Sequence, residues 1–175
     1  MNQVMLSELQ AKEEIRSRII GYCRGIDRAD RDLIRATYHD DSVEDHGDKY
    51  RGGPDGFVDW VLGHLSRMNG SMHALHQIHV ELDGDVAHAE SYCTARHVLP
   101  GDAGDGEVLE TLGVRYVDRF EKRAGSGWRI ARRVVVLEFH AQEPLMPRSD
   151  WRTGFASPRS FPDDPSYARR PTGGD

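Results

Sequence analysis

The sequence predicts an α+β protein in which three N-terminal helices pack on a curved, largely antiparallel sheet. Three observations predict it. Apolar residues recur every three or four positions through the first part of the chain, as on one face of a helix. After "NGS" at residues 69–71 the period changes to alternation, as on a half-buried strand. The strand-like runs then follow one another with glycine-rich turns between them, which is the grouping of an α+β domain rather than of alternating βαβ units.

The first helix is expected over residues 7–27, where Leu9, Ile15, Ile19, Tyr22, Cys23 and Ile26 are spaced among charged residues. Within "IIGYCRGIDRAD" the line Ile20, Cys23, Asp27 ends on a carboxylate, an unusual finish for an apolar stripe. Gly25 weakens the last turn. A second helix is expected over residues 30–38, capped by Asp30 and carrying Leu33, Ile34 and Tyr38 on one face. "DDSVEDHGDKYRGG" supplies turn chemistry around short strands. A third helix opens at Pro54 and runs to about Met68, with Phe57, Trp60, Val61, Leu65 and Met68 at helical spacing.

In the next segment Ile78, Val80 and Leu82 alternate with Gln77, His79 and Glu81 up to the hairpin turn "DGD". Further strands follow as "VAHAESYCTARHV", "LETLGVRYVDRFEKR" and "WRIARRVVVLEFH". A folded unit is therefore expected over residues 1–140. From Ala141 the chain is rich in Pro, Arg and Asp without periodicity, which predicts an irregular tail over 141–175. Trp151, Phe155, Phe161 and Tyr167 are too many aromatics for a solvated segment, so parts of the tail are expected on the sheet, the pocket mouth or a neighbouring subunit.

Composition narrows the function. With 38% hydrophobic residues in 175, the chain suits one globular core. Against 23 Lys and Arg stand 29 Asp and Glu, a balance that repels phosphate backbones and anionic lipid heads, so neither nucleic acid nor membrane is an expected partner. Cys23 and Cys93 lie in different elements and form no CxxC pair, which argues against a disulfide framework and fits a reducing cytoplasm. No stretch has signal-peptide character or approaches the roughly 20 apolar residues of a membrane span.

Several segments together resemble the SnoaL-like branch of the nuclear-transport-factor-2-like superfamily. They are "GYCRGIDRAD", "YHDDSVEDHG", "SMHALHQIHVELDGD", "AESYCTARH" and "RYVDRFEKRAGSGWRIARRVVV", spanning about Ile15 to Phe139 and excluding the tail. The resemblance implies a cone-shaped α+β barrel with a deep apolar pocket between sheet and helices, and it leaves the reaction open, because one cone hosts many chemistries. In the dehydratase and dehydrochlorinase members an Asp closing the first helix pairs with a His at the start of the first long strand. Those motif positions are Asp27 and His73. A polar side chain five residues before the Asp and an Arg on the last strand help to hold substrate or leaving group; by motif position these are Tyr22 and Arg133. Family members commonly dimerise, which implies a homodimer or higher homo-oligomer.

Chemically, a histidine is a competent base near neutral pH, and a neighbouring carboxylate fixes its tautomer and stabilises the imidazolium that forms. Asp27 beside His73 would supply that arrangement, with Tyr22 as donor and Arg133 as counter-charge. The plain alternative makes Asp27 a helix-end residue bonded to backbone or to Arg24 or Arg31. Strand alternation puts His76, not His73, in phase with Ile78 and Val80, so parity favours His76 unless a bulge resets the count, whereas the family spacing favours His73. His97, ending the next strand, is a second candidate pocket histidine. Arg132 and Arg133 point to opposite faces, both of them apolar, which hints at a covered outer face.

The cluster "HDDSVEDHG" matches no zinc or calcium loop spacing, so no metal is expected there, although Tyr38, Asp45 and His46 stand close to the pocket by family position. The apolar lining is expected from Trp60, Val61, Leu65, Tyr92, Val114, Tyr116 and Phe139. These readings lead to a cofactor-independent lyase acting on a small hydrophobic, ring-containing alcohol, by dehydration or by a related carbon–carbon cleavage that releases formaldehyde. A polyketide cyclase or ketosteroid-type isomerase needs the same base without a departing group, and a non-catalytic binding or assembly protein of the same fold needs neither.

Overall fold

Helix α1, Gln3–Arg28, buries Ile15, Ile19, Tyr22, Cys23, Gly25 and Ile26 along one side, as its apolar period dictates. Ile20 lies off that stripe, 53% exposed, and Leu9 stays half exposed, so the carboxylate of Asp27 continues the line of Cys23 but not of Ile20. The structure, a computed structural model, describes residues 3–101, 106–145, 155 and 158–168. Gly25 earns its place by close approach: a Cβ there would meet Ile34 at 2.9 Å. Helix α2, Arg31–Arg35, can therefore lie against the end of α1, capped by Asp30, whose side chain accepts from the Leu33 N–H. It is shorter than the sequence suggests, because Tyr38 begins strand β1, Tyr38–Asp45.

Strand β2, Arg51–Gly52, precedes helix α3, Pro54–Leu65, which opens with proline in its first turn and buries Phe57, Val58 and Val61. So one long and one short strand come between the second and third helices. The long strands follow as β3 Gly70–Asp83, β4 Val86–Pro100, β5 Glu107–Arg123 and β6 Gly127–Leu145. The sheet order is β2-β1-β6-β5-β4-β3, and β1 pairs with β6 in parallel while every other pairing is antiparallel. Gly84, at φ +60°, makes the tight β3–β4 turn that "DGD" predicts. No helix among the described residues is long and apolar enough to cross a membrane.

The expected boundary at residue 140 falls inside strand β6. Strand β6 continues to Leu145 because residues 141–145 complete the ladder to Glu107–Thr111 of β5. Beyond it, residues 158–168 lie against the end of α1: the Phe161 N–H donates to the Arg28 carbonyl at 2.7 Å, and the Tyr167 hydroxyl donates to Asp30 at 2.7 Å. Asp164 is buried there beside Arg28 at 3.1 Å. Phe155 is exposed, and Trp151 lies outside the described residues.

Candidate active site

Asp27 and His73 meet. The His73 Nδ1–H donates to Asp27 Oδ1 at 2.7 Å, and the His73 backbone N–H donates to Oδ2 at 3.0 Å. The Ser71 hydroxyl adds a third donor at 3.3 Å. A carboxylate only accepts, so Nδ1 carries the ring proton and Nε2 is left as the basic nitrogen. The pair is largely withdrawn from water, with side-chain exposures of 8% and 15%.

A β-bulge brings His73 inward. Leu75 pairs with Cys93 and Ile78 with Ser91, so His76 and Gln77 together stand opposite the single residue Tyr92. The extra residue shifts the phase of β3: His73 and Leu75 face inward before it, Ile78 and Val80 after it. His76 therefore does not line the pocket. It is exposed and bonds the Thr94 hydroxyl at 2.8 Å on the outer face. Tyr92 is likewise on the outer face, because its neighbours Cys93 and Ser91 are the buried residues of β4 and the Arg115 guanidinium lies over its ring at 5.8 Å.

Beside the pair lies a cavity of about 410 Å³ lined by His73, His97, Trp60, Leu65, Tyr22 and Tyr116 among others. Apolar side chains from β5, β6 and α3, including Val114, Val135 and Val61, form much of its wall. A second cleft of about 300 Å³, lined by Asp27, Ser71, Pro158 and Arg159, lies against the tail and does not reach His73. The histidine thus opens to the larger cavity, whose size suits a ligand of one or two rings.

His97 joins His73 in that cavity, their ring centroids 5.8 Å apart. His97 Nδ1 donates to Glu110 at 3.1 Å. Burial lowers the His97 pKa below its ordinary value and His73 adds to the effect, so the ring is held neutral despite the carboxylate. For Glu110, burial acts upward but hydrogen bonds from His97, Gln142 and His140 hold its carboxyl below the ordinary value. Glu110 is absent from the sequence reading. Its signal was the hairpin: Pro100 pairs with Glu107 across the glycine-rich loop, and counting three residues back along each strand sets His97 opposite Glu110.

Arg133 is inward, as one of the two adjacent arginines must be, but it does not reach the cavity surface. It is fully buried, giving Nε and Nη2 to the two oxygens of Asp118, each at 2.7 Å. The rings of Tyr22, 4.2 Å away, and Tyr116, 4.4 Å away, both pack against its guanidinium. Burial pushes the Asp118 carboxyl up while Arg133 pulls it down. Both of its oxygens accept from a guanidinium that keeps its charge, and we read the pair as ionised. Arg133 is thus absent from the cavity lining, with two of its nitrogens held by Asp118 and Nη1 left without a partner.

Two other expected lining residues are also elsewhere. Tyr38 is fully buried in the aromatic cluster with Tyr22 and Phe57, behind the cavity wall rather than on it. Phe139 is 54% exposed: Glu138 is an extra residue between the pairs Val114–Leu137 and Gly113–Phe139, and the shift turns Phe139 outward over Gly113. The acidic cluster after Tyr38 disperses: His39 bonds the Glu121 carbonyl, Asp40 pairs with Arg35, Asp41 with Arg123 and Asp45 with Arg51. Among the described residues no three metal-binding side chains converge. His46, Lys49 and His64 do line the cavity; Lys49 and His64 carry no signal in the sequence reading.

The chain belongs to the SnoaL-like domain family, whose model matches residues 7–134, and its fold is that of the nuclear-transport-factor-2-like superfamily. Solved structures similar to it include the following three. A putative scytalone dehydratase from Novosphingobium aromaticivorans is 17% identical with a TM-score of 0.65, over 85% of this chain and 95% of that one. A hexachlorocyclohexane dehydrochlorinase of type 2 is 18% identical with a TM-score of 0.66, over 88% and 96%. A nuclear-transport-factor-2-like superfamily protein from Salmonella enterica is 18% identical with a TM-score of 0.65, over 74% and 92%. Among curated proteins none matches by sequence.

Proposed function

We propose that the chain is a cofactor-independent lyase that eliminates water from, or cleaves a carbon–carbon bond in, a hydrophobic ring-bearing alcohol. The observation that carries the reading is the Asp27–His73 pair, closed at 2.7 Å with the ring opening to an apolar cavity. In the mechanism His73 Nε2 takes a proton from carbon next to an activating carbonyl, and Asp27 stabilises the imidazolium. Tyr22, whose hydroxyl burial holds firmly protonated, donates to the oxygen on which negative charge develops. In the cleavage variant the same base takes the hydroxyl proton of a hydroxymethyl arm, the carbon–carbon bond breaks with its pair left on the remaining carbon as an enolate, the arm leaves as formaldehyde, and the protonated His73 returns its proton to that carbon.

The names of similar structures, a scytalone dehydratase and a dehydrochlorinase, agree with elimination. A specific observation also favours a second reading. With Arg133 committed to Asp118 and no arginine lining the cavity among the described residues, isomerisation or cyclisation by the same base is served equally well. The open cavity and the convergent pair favour both over a purely structural subunit.

The test is a mass-spectrometric screen of aromatic, polyketide and steroid alcohols against the wild type and His73→Ala. It includes a β-hydroxy ketone bearing a phenyl group on the hydroxyl carbon, whose dehydration gives benzalacetone and water. The alanine variant should lose about 10³-fold or more of the turnover with its circular dichroism unchanged. Equal turnover removes His73 from the chemistry.

A further inference from the structure

Glu44 has no exposed surface, a rare state for a carboxylate unless it is paired. Its Oε1 accepts from His46 Nε2 at 2.8 Å, while Oε2 has no hydrogen-bond partner. The other buried polar atoms left incomplete include the Tyr38 hydroxyl and Arg133 Nη1. Burial and the negative charge of Glu44 both push the Tyr38 pKa up, which places that hydroxyl in the field of Glu44. Glu44 thus sits in a buried cluster with Arg133 and Asp118, and His46 meets it at hydrogen-bond distance. Buried carboxylates persist where such a partner is supplied.

His46 is also a wall of the cavity. Its ring stacks on Phe57 at 5.2 Å and against Trp60 at 5.5 Å, which fixes its orientation, and Nδ1 is the nitrogen left for other partners. It follows β1, whereas His73 is on β3, so β6, β5 and β4 separate them across the curved sheet although both line one cavity. Of the other polar groups there, His97, His64 and Tyr22 suit the task of an acid less well. Burial lowers the pKa of His97 and of His64, the latter also facing Arg67, and raises that of Tyr22.

We propose that His46 is a second proton-transfer group of the cavity, positioned by Glu44, and that it protonates the oxygen that departs. The inference rests on the lyase reading above. The carbon–hydrogen bond breaks to His73 and its electron pair forms the double bond. The carbon–oxygen bond breaks with its pair on oxygen, and that oxygen takes the proton of His46 and leaves as water. His73 ends protonated and His46 neutral, and exchange with solvent water restores both.

Two reactions separate the roles. Dehydration of the phenyl-bearing β-hydroxy ketone needs both base and acid. Deuterium exchange at the carbon next to the carbonyl of benzylacetone, followed by NMR in heavy water, needs the base and has no departing group. His46→Gln should lose about 10²-fold or more of the dehydration while keeping exchange within about threefold, and His73→Ala should lose both. Glu44→Gln should follow His46→Gln, and His46→Asn serves the same comparison if the glutamine variant does not fold. Dehydration at the wild-type rate in His46→Gln overturns the inference and leaves the lyase reading standing. Equal loss of both reactions with an intact fold also overturns it, since His46 would then shape the cavity only. A wild type that catalyses neither reaction brings down the lyase reading and this inference with it.

Discussion

The β3–β4 side of the cavity and the Arg133 layer beneath it both hold charge away from water, and they differ in what that charge is left free to do. On β3 and β4 each imidazole gives one nitrogen to a carboxylate, His73 to Asp27 and His97 to Glu110, and keeps the other for the cavity. In the layer below, Arg133 is bound to both oxygens of Asp118 and packed against the rings of Tyr22 and Tyr116, with nothing of the pair exposed. A group whose free nitrogen borders the cavity can exchange protons with a ligand; one buried behind the cavity wall holds its surroundings in place. Position in the same pocket family therefore does not give two residues the same kind of work.

Substitutions can break that contrast. Asp27→Asn keeps the shape of the side chain but loses the charge that supports a protonated His73, and turnover should fall by about 10²- to 10⁴-fold with melting temperature nearly unchanged. A large loss of stability instead would make Asp27 a structural residue. Arg133→Met should do the reverse, lowering unfolding free energy by about 3–5 kcal/mol in urea titration because Asp118 is left buried and unpaired. An Arg133→Met protein that is stable yet inactive would return Arg133 to the chemistry.

The smallest effect concerns pH. His97 has a folded-state pKa below its ordinary value of 6.5, so the unfolded chain binds the proton more readily. Its contribution to stability is complete above that value and is lost as pH falls below it. Thermal unfolding between pH 8 and pH 5, a range of about three units around the ordinary value, should show a shallower acid decline in His97→Gln than in wild type. Identical slopes would mean that His97 is already as free to protonate in the fold as outside it.

The helices and strands were legible because their signals are local. The apolar period of α1, the proline opening α3 and "DGD" between β3 and β4 each act within a few residues. Tyr38 misled, since it keeps helical phase with Leu33 and Ile34 yet begins β1, where pairing with β6 outweighs the phase. His76, Tyr92 and Phe139 were misplaced where strand parity was read without the bulges, or without the pairing that fixes which face is inner. Motif position marks Arg133 as the inward arginine, but nothing in its neighbourhood in sequence announces Asp118 or the two rings that pack against it.

What the amino-acid order determined by itself was the set of elements, their succession and the presence of a carboxylate at the end of an apolar helix face. Hydrophobic period, proline and glycine fix these over short distances. Only the tertiary structure decided that this carboxylate meets an imidazole 46 residues away and that the neighbouring arginine is sealed off from the cavity. The physical reason is that one extra residue in a strand reverses which face its side chains take, and curvature of the sheet sets which of those faces enclose the same space.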